Sequence, residues 1–252
     1  MRDIVDAAVG HSHALLLARD GTVFTWGRNN GCELGVDDER RRLTPIRVTA
    51  VQGVVQVAAG MNVSALVLKQ DGTVWGWGRN EDGLLCDGST ERRTRPVQMR
   101  GITNAVDIAM AGNSVIVLAD GTVRMCGRQR DAAMSTAREG SLHTVPFQVA
   151  GITSAVTAQT AGGGTMVRLK DGTLLGWGYG MHGSLGDGFI DRISPTPHAP
   201  IGVGPVLAHF YASNEGYAIR ADGTVMAWGF FTGGAKEWAL KPVPRFTVTL
   251  GR

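Results

Sequence analysis

The sequence predicts an all-β protein, a β-propeller of five four-stranded blades closed into a ring, on three observations. The first is the stretch Asp-Gly-Thr-Val-x-x-Trp-Gly, which begins at Asp20 and returns at Asp71, Asp120, Asp171 and Asp222, spaced 51, 49, 51 and 51 residues apart. A fixed period of this size marks a repeat architecture whose units bury their apolar faces against one another. The second is that each period holds four short strand patterns separated by glycine-rich turns, the content of one propeller blade. The third is that the run from Val206 through the C-terminus and on to Val5 makes another 51-residue period. The two termini are therefore expected to share a blade, which would leave no open sheet edge. A piece cut from a longer array at matching phase would give the same count.

Taken in order, each unit opens with an apolar stretch anchored at Val5, Val55, Val106, Val156 and Val206. It runs into small residues, as in Val57-Ala58-Ala59-Gly60, where missing side chains let backbones approach closely. The second strand alternates through Leu15/Leu17, Leu66/Leu68, Ile116/Leu118, Val167/Leu169 and Tyr217/Ile219, and period two predicts one buried face. Asp-Gly between two hydrophobic runs then predicts a hairpin with a type I′ turn. The third strand ends on Trp-Gly at Trp26, Trp77, Trp177 and Trp228, with Cys126 in the third copy. A buried Trp contributes at most about 4 to 6 kcal/mol, which makes it the expected spacer between blades. A long loop follows, then a fourth strand led by Pro45, Pro96, Pro146 and, more weakly, Pro197. Proline cannot donate to a central ladder, so this strand is placed at an outer edge.

The repeat favours a single domain over residues 1–252. Thirty-six glycines without a G-X-Y period and 43% hydrophobic residues describe a folded, turn-rich chain. A net charge of only +3 makes a nucleic-acid coat an unfavourable reading. Arginine, with 21 residues, far outnumbers lysine, with 4, and is the better fork for carboxylates. Three cysteines, Cys32, Cys86 and Cys126, without CxxC spacing argue against a disulfide framework and a thiolate metal site, so a reducing, cytoplasmic location is expected. No apolar run approaches the roughly 18 residues that span a bilayer, and no secretory core precedes the first repeat.

The succession Ala8, Gly10, His13, then Leu15 and Leu17, Asp-Gly-Thr-Val, Trp26-Gly-Arg-Asn29 and Gly31-Cys-Glu-Leu-Gly35 resembles the regulator of chromosome condensation repeat family. The resemblance covers nearly the whole chain and implies a β-propeller, usually of seven blades, so five repeats are a departure. Members of that family act as exchange factors for a small GTPase, as chromatin-binding platforms, as a plant ultraviolet-light receptor and, in bacteria, as effectors or a β-lactamase inhibitor. They share a fold and not a function, so function has to be argued from the loops.

The residues following Trp-Gly are Arg28, Arg79, Arg128, Tyr179 and Phe230, followed in turn by Asn29, Asn80, Gln129, Gly180 and Phe231. Equivalent positions lie at equivalent radius in a propeller, so these form an arc of interface-enriched types on one face. The alternative is that Arg-Asn only caps each strand end. The longer loops add Arg40, Arg41 and Arg42, Arg92, Arg93 and Arg95, and Arg130 with Arg138, a basic sector suited to an acidic protein surface. Asp37, Asp38, Glu39, Glu91, Asp131 and Glu139 sit among them, which leaves a solvated loop face as the alternative and weakens a DNA reading. Unit three carries helix formers over 130–139, and unit five places Phe230, Phe231 and Trp238 together.

Catalytic constellations are thin. The six histidines show no HExxH, no cysteine sits beside a plausible base, and Gly162-Gly163-Gly164 precedes a strand rather than a helix. No catalytic residue, metal site or cofactor is expected, and the chain is read as a monomeric, non-enzymatic module binding another protein through the loops after Trp-Gly. Two alternatives stay open: nucleotide exchange or effector action on a small GTPase, and an inhibitor whose Phe230, Phe231 and Trp238 cover another enzyme's active site, with a secreted effector as the corresponding location.

Overall fold

Each 51-residue period folds into one four-stranded antiparallel sheet in which sequence order is also spatial order. The computed structural model describes residues 3–61, 64–128, 141–231 and 237–247. Blade one holds β1 (Ile4–Val9), β2 (His13–Ala18), β3 (Val23–Gly27) and β4 (Arg42–Arg47). Blade two holds β5 (Val54–Ala59), β6 (Ser64–Lys69), β7 (Val74–Gly78) and β8 (Arg93–Gln98). Blade three holds β9 (Ala105–Met110), β10 (Ser114–Leu118), β11 (Val123–Arg128) and β12 (Leu142–Gln148). Blade four holds β13 (Ala155–Ala161), β14 (Gly164–Leu169), β15 (Leu174–Gly180) and β16 (Arg192–His198). Blade five holds β17 (Val206–Tyr211), β18 (Glu215–Arg220), β19 (Thr224–Phe231) and β20 (Glu237–Thr247). Blades one to three form one compact unit and blades four and five another.

The expected sharing of one blade by the two termini does not occur. β1 pairs with β2 inside blade one, and β20 pairs with β19 inside blade five. The last repeat supplies its own fourth strand, Glu237–Thr247, which pairs with β19. The proline-led strands are sheet edges, as their missing N–H requires.

The hairpin at Asp20-Gly21 is also built differently from the expected type I′ turn. The Gly21 N–H donates to the Ala18 carbonyl at 2.9 Å and the Ala18 N–H to the Thr22 carbonyl at 2.9 Å. Among residues 18–22 only Gly21 has a positive φ, 80°. This is a type I turn closed by a left-handed glycine, the three-residue hairpin loop. Aspartate is used for its side chain: Asp20 Oδ1 accepts the Thr22 N–H at 2.9 Å, and Asp71, Asp120, Asp171 and Asp222 repeat the bond to Thr73, Thr122, Thr173 and Thr224. Hydrogen bonds from the Thr73 hydroxyl and N–H, with Lys69 beside them, hold Asp71 down at about 2.

The second strands of blades two and three are buried on both faces rather than on one, whereas β18 of blade five alternates as its period predicts. In blade two, β6 is buried at five consecutive positions, Ser64 to Leu68, because the sheet is covered by blade one and by blade three. Leu15, Leu17, Val48, Val54, Val57 and Trp77 make the core between blades one and two, and Leu66, Leu84, Leu85, Ile108 and Ile116 that between two and three. Met166, Leu185, Val206, Ala218 and Trp228 do the same between blades four and five.

The Trp is seated by the loop of the preceding blade. Trp77 is fully buried, its indole N–H donates to the Glu33 carbonyl at 2.8 Å, and a Cβ on Gly35 would stand 2.9 Å from its ring. Trp228 repeats this with the Ser184 carbonyl at 2.6 Å and Gly186. First strands are joined by side-chain amides: Gln56 donates to Asp107 Oδ1 at 2.8 Å and accepts the Ile108 N–H, while Gln159 donates to the His209 carbonyl and accepts the Tyr211 N–H. The edge of each such strand is thereby satisfied by its neighbour.

The cysteines depart from expectation. Cys86 and Cys126 are joined in a disulfide with Cα atoms 5.9 Å apart, and Cys32 stays free and buried. A pair 40 residues apart, brought together only by the stacking of two blades, has no local spacing to reveal it.

Gly35→Ala and Gly53→Ala separate the glycine's two roles. Both positions are left-handed, at φ 67° and 65°, yet nothing lies within 4 Å of a Cβ at Gly53. Urea unfolding is expected to show a loss of about 1 kcal/mol for Gly53→Ala and about 2 to 4 kcal/mol for Gly35→Ala, which also drives the methyl into Trp77.

Candidate functional site

The third strand of every blade carries a positive-φ glycine after its Trp or Cys, which ends the strand in blades one and two and lies within it in blades three to five. At Gly27 φ is 115°, and a Cβ there would meet the Ser12 carbonyl oxygen at 2.4 Å, so only glycine fits. The next residue is then fixed by one recurring bond: the N–H of Arg28 donates to Ser12 at 2.9 Å, that of Tyr179 to Gly163 at 3.1 Å and that of Phe230 to Asn214 at 2.9 Å. Arg28, Tyr179 and Phe230 are thus structurally equivalent within their blades.

Their side chains meet different fates. Arg28 is exposed. Arg79 pairs with Glu81 at 3.2 Å, and Arg128 reaches back to Asp82 of blade two at 2.8 Å. Phe230 packs on the His182 ring with centroids 5.6 Å apart, and Tyr179 is half-buried. Phe231 faces Glu237, and Phe230 faces Trp238, in the β19–β20 ladder. The side chains of Phe231 and Trp238, together with Gln129, Arg130, Arg138 and the stretch 130–139, lie outside the described residues.

Asn29 and Asn80, expected on the docking face, are fully buried. Asn29 donates to the Asp38 carbonyl at 2.6 Å and accepts the Leu34 N–H at 2.9 Å. Asn80 repeats both bonds with Ser89 at 3.0 Å and Leu85 at 2.9 Å. Their polar atoms are consumed in holding the long loop closed, which corrects their assignment as partner contacts.

The loop arginines are largely neutralised. Arg42 pairs with Asp38, Arg92 with Glu39 at 2.7 Å, Arg93 with Asp87 at 2.7 Å and Arg95 with Asp37. Bonds from Arg95 and the Thr94 hydroxyl hold Asp37 below the usual carboxylate range, and Arg42 with the Arg40 N–H does so for Asp38. Burial opposes ionisation of Asp87, but Ser89 and Arg93 outweigh it. Arg40 and Arg41 are exposed, and like Arg28 they have no acidic partner among the described residues.

Two clefts open on this face of the first unit. One, of about 200 Å³ between blades one and two, is lined by Arg28, Asn30, Gly31, Glu33, Arg79, Glu81 and Arg92. The other, of about 540 Å³ on blade one, is lined by Ser12, Trp26, Gly27, Arg28, Asn30, Arg41, Arg42 and Leu43. Trp26 is half-buried there, whereas Trp77, Trp177 and Trp228 are fully buried, and Leu43 is 76% exposed. Leu43 and Trp26 were not singled out from sequence as contacts; Leu43 has no repeat signature, and Trp26 reads as one spacer among four.

Among the described residues no three His, Cys, Asp or Glu side chains group as metal ligands, and no helix is long and apolar enough to cross a membrane. His13 is buried, and burial lowers its pKa against the opposing effect of the Glu33 carboxylate. His198 lies 3.5 Å from Asp187, an ion-pair contact that raises its pKa.

The Trp on its glycine, the recurring asparagine clasp and the four-stranded sheets are the features to set beside known proteins. Two family models described as the regulator of chromosome condensation (RCC1) repeat match, one at residues 20–67 and 71–118 and the other at 4–32 and 54–84. Residues 4–118 carry RCC1 repeats. It is 28% identical over 242 residues to the ultraviolet-B receptor UVR8 of Arabidopsis thaliana, covering 92% of this chain and 54% of the receptor. Among solved structures it resembles human WBSCR16, with a TM-score of 0.83 at 22% identity over 96% of this chain and 66% of that one. It also resembles Prp20p of Saccharomyces cerevisiae, with a TM-score of 0.82 at 19% identity over 96% and 63%. The chain thus spans about half the length of the curated relative and under two thirds of Prp20p.

His209 gives the unit of blades four and five a pH signature. Burial lowers its pKa to about 4 from 6.5. A depressed histidine contributes stability above pH 6.5 that is lost as pH falls towards its folded pKa. Between pH 7.5 and pH 5 the wild type is expected to lose about 2 kcal/mol more unfolding free energy than His209→Gln, as read by urea titration at each pH.

Proposed function

We propose that this RCC1-repeat chain is a non-enzymatic module that binds another protein through the face bearing the loops after Trp-Gly, with blade one as its anchor. One observation carries the reading: of the described loop arginines, Arg28, Arg40 and Arg41 lack acidic partners, and Arg28 and Arg41 flank a cleft floored by Trp26 and edged by Leu43. Free guanidinium forks beside exposed apolar surface suit a partner segment that carries carboxylates next to an apolar side chain. The saturated arginines around them argue against a nucleic-acid partner, because phosphate binding draws on uncompensated positive charge. Prp20p, whose structure is described with its binding to Gsp1p and histones, supports protein binding as the use of the fold.

Exchange activity on a small GTPase is the second reading, supported by the same likeness to Prp20p. An inhibitor role resting on Phe230 has less support, because that ring already packs on His182.

The Arg28→Glu, Arg41→Glu double variant separates these readings. A partner isolated by cross-linking to the wild type and then purified is expected to bind the variant at least tenfold more weakly, with Arg220→Glu on another surface binding as wild type. Undiminished binding to the double variant overturns the blade-one anchor. Accelerated release of labelled nucleotide from a panel of small GTPases would favour the exchange-factor reading.

A further inference from the structure

The junction between blades two and three departs from its siblings at three positions at once. Six residues after Asn29, Asn80 and Gly180 stand Gly35, Cys86 and Gly186, all left-handed at φ 67°, 55° and 68°. Facing them on the next blade's third strand are Trp77, Cys126 and Trp228. Opposite those, in the β6–β7, β10–β11 and β18–β19 ladders, stand Ala65, Ser114 and Gly216.

Two junctions therefore use Gly, Trp and a small residue, and the third uses Cys, Cys and Ser. Each change answers another. Removing the indole empties the space that forbids a Cβ at Gly35, so a side chain can stand at position 86. The same loss removes the indole N–H that bonds the Glu33 and Ser184 carbonyls. The equivalent Leu84 carbonyl instead accepts the Ser114 hydroxyl at 2.6 Å. Cys86 remains in a left-handed conformation, as glycine does at the sibling junctions. The Cα separation of 5.9 Å lies in the range a disulfide needs.

We propose that this junction is a redox-responsive site: Cys86 and Cys126 exchange with a small-molecule disulfide, and their covalent bond takes the place of the Gly-Trp contact between blades two and three. One cysteine thiolate attacks a sulfur of the small disulfide, expelling one thiolate and leaving a mixed disulfide. The second cysteine attacks the protein sulfur of that intermediate and expels the other. The two cysteines lose two electrons and two protons, and the reagent leaves as two thiols. Both sulfurs are buried, so exchange requires the junction to open and follows local unfolding rather than surface collision. Cys32, buried with its thiol pKa raised by burial, takes no part and serves as an internal reference.

The test refolds the chain in oxidised or reduced glutathione, counts thiols in denaturant and records thermal unfolding. Oxidised protein is expected to show one thiol of the three cysteines, reduced protein all three. Its midpoint should stand on the order of 10 °C above that of the reduced form. Cys126→Ala should unfold identically in both buffers. The triple variant Cys86→Gly, Ser114→Ala, Cys126→Trp, which rebuilds the set Gly35, Ala65 and Trp77, should be insensitive to reductant and more stable than Cys126→Ala. Three free thiols after oxidative refolding, or equal midpoints in the two buffers, would overturn the redox assignment. A triple variant no more stable than Cys126→Ala would overturn the equivalence of the two contacts.

Discussion

An indole lying against a left-handed glycine of the preceding blade is the contact from which the repeats take their shape. Where Trp77 stacks on Gly35 and bonds the Glu33 carbonyl, three demands meet. The loop must present bare backbone, the third strand must deliver a large flat side chain at its end, and the distance between them must be one period. The hydrophobic gain of burying so large a ring is the largest single term available at such a junction. The polar end of the ring is satisfied by a carbonyl that the glycine turn leaves pointing at it.

That contact also explains why the adjoining face is available for binding. The loop seating the next blade's Trp is closed on itself by Asn29 or Asn80 and by acid-base pairs such as Asp38 with Arg42 and Asp87 with Arg93. It is therefore held from within before any partner arrives, and the residues projecting from it are presented without an ordering cost. Most of the arginines in these loops are structural for the same reason. What remains for recognition is the small set whose guanidinium groups the loops do not use.

Periodicity exposed the sheets, their order and the Trp spacer, because each is written once per 51 residues and a single misfit stands out against four matches. Four features escaped it. The shared terminal blade failed because counting measures distance and not hydrogen bonding, and β20 already completes its own sheet. The turn was mistyped because Asp-Gly serves two loop geometries, separated here by the bond from Gly21 to Ala18. Asn29 and Asn80 looked like surface residues because polarity alone does not tell a buried clasp from a contact. Their signal was present in the recurrence of backbone partners five and nine residues on, which becomes visible only once the loop is folded. The Cys86–Cys126 bond was illegible for a different reason: it replaces a repeat element instead of repeating one.

The amide staples on the first strands have a consequence for how the protein is made. Gln56 reaches only the strand that begins at Ala105, and Gln159 only the one that begins at Val206. Each such contact joins sheets one period apart, so chain closure never spans a long disordered segment. As the polypeptide leaves the ribosome, a finished sheet can act as the template on which the following 50 or so residues condense. Within each unit synthesis order and stacking order then coincide, which keeps unpaired edges from waiting long in solution where they could meet another nascent chain.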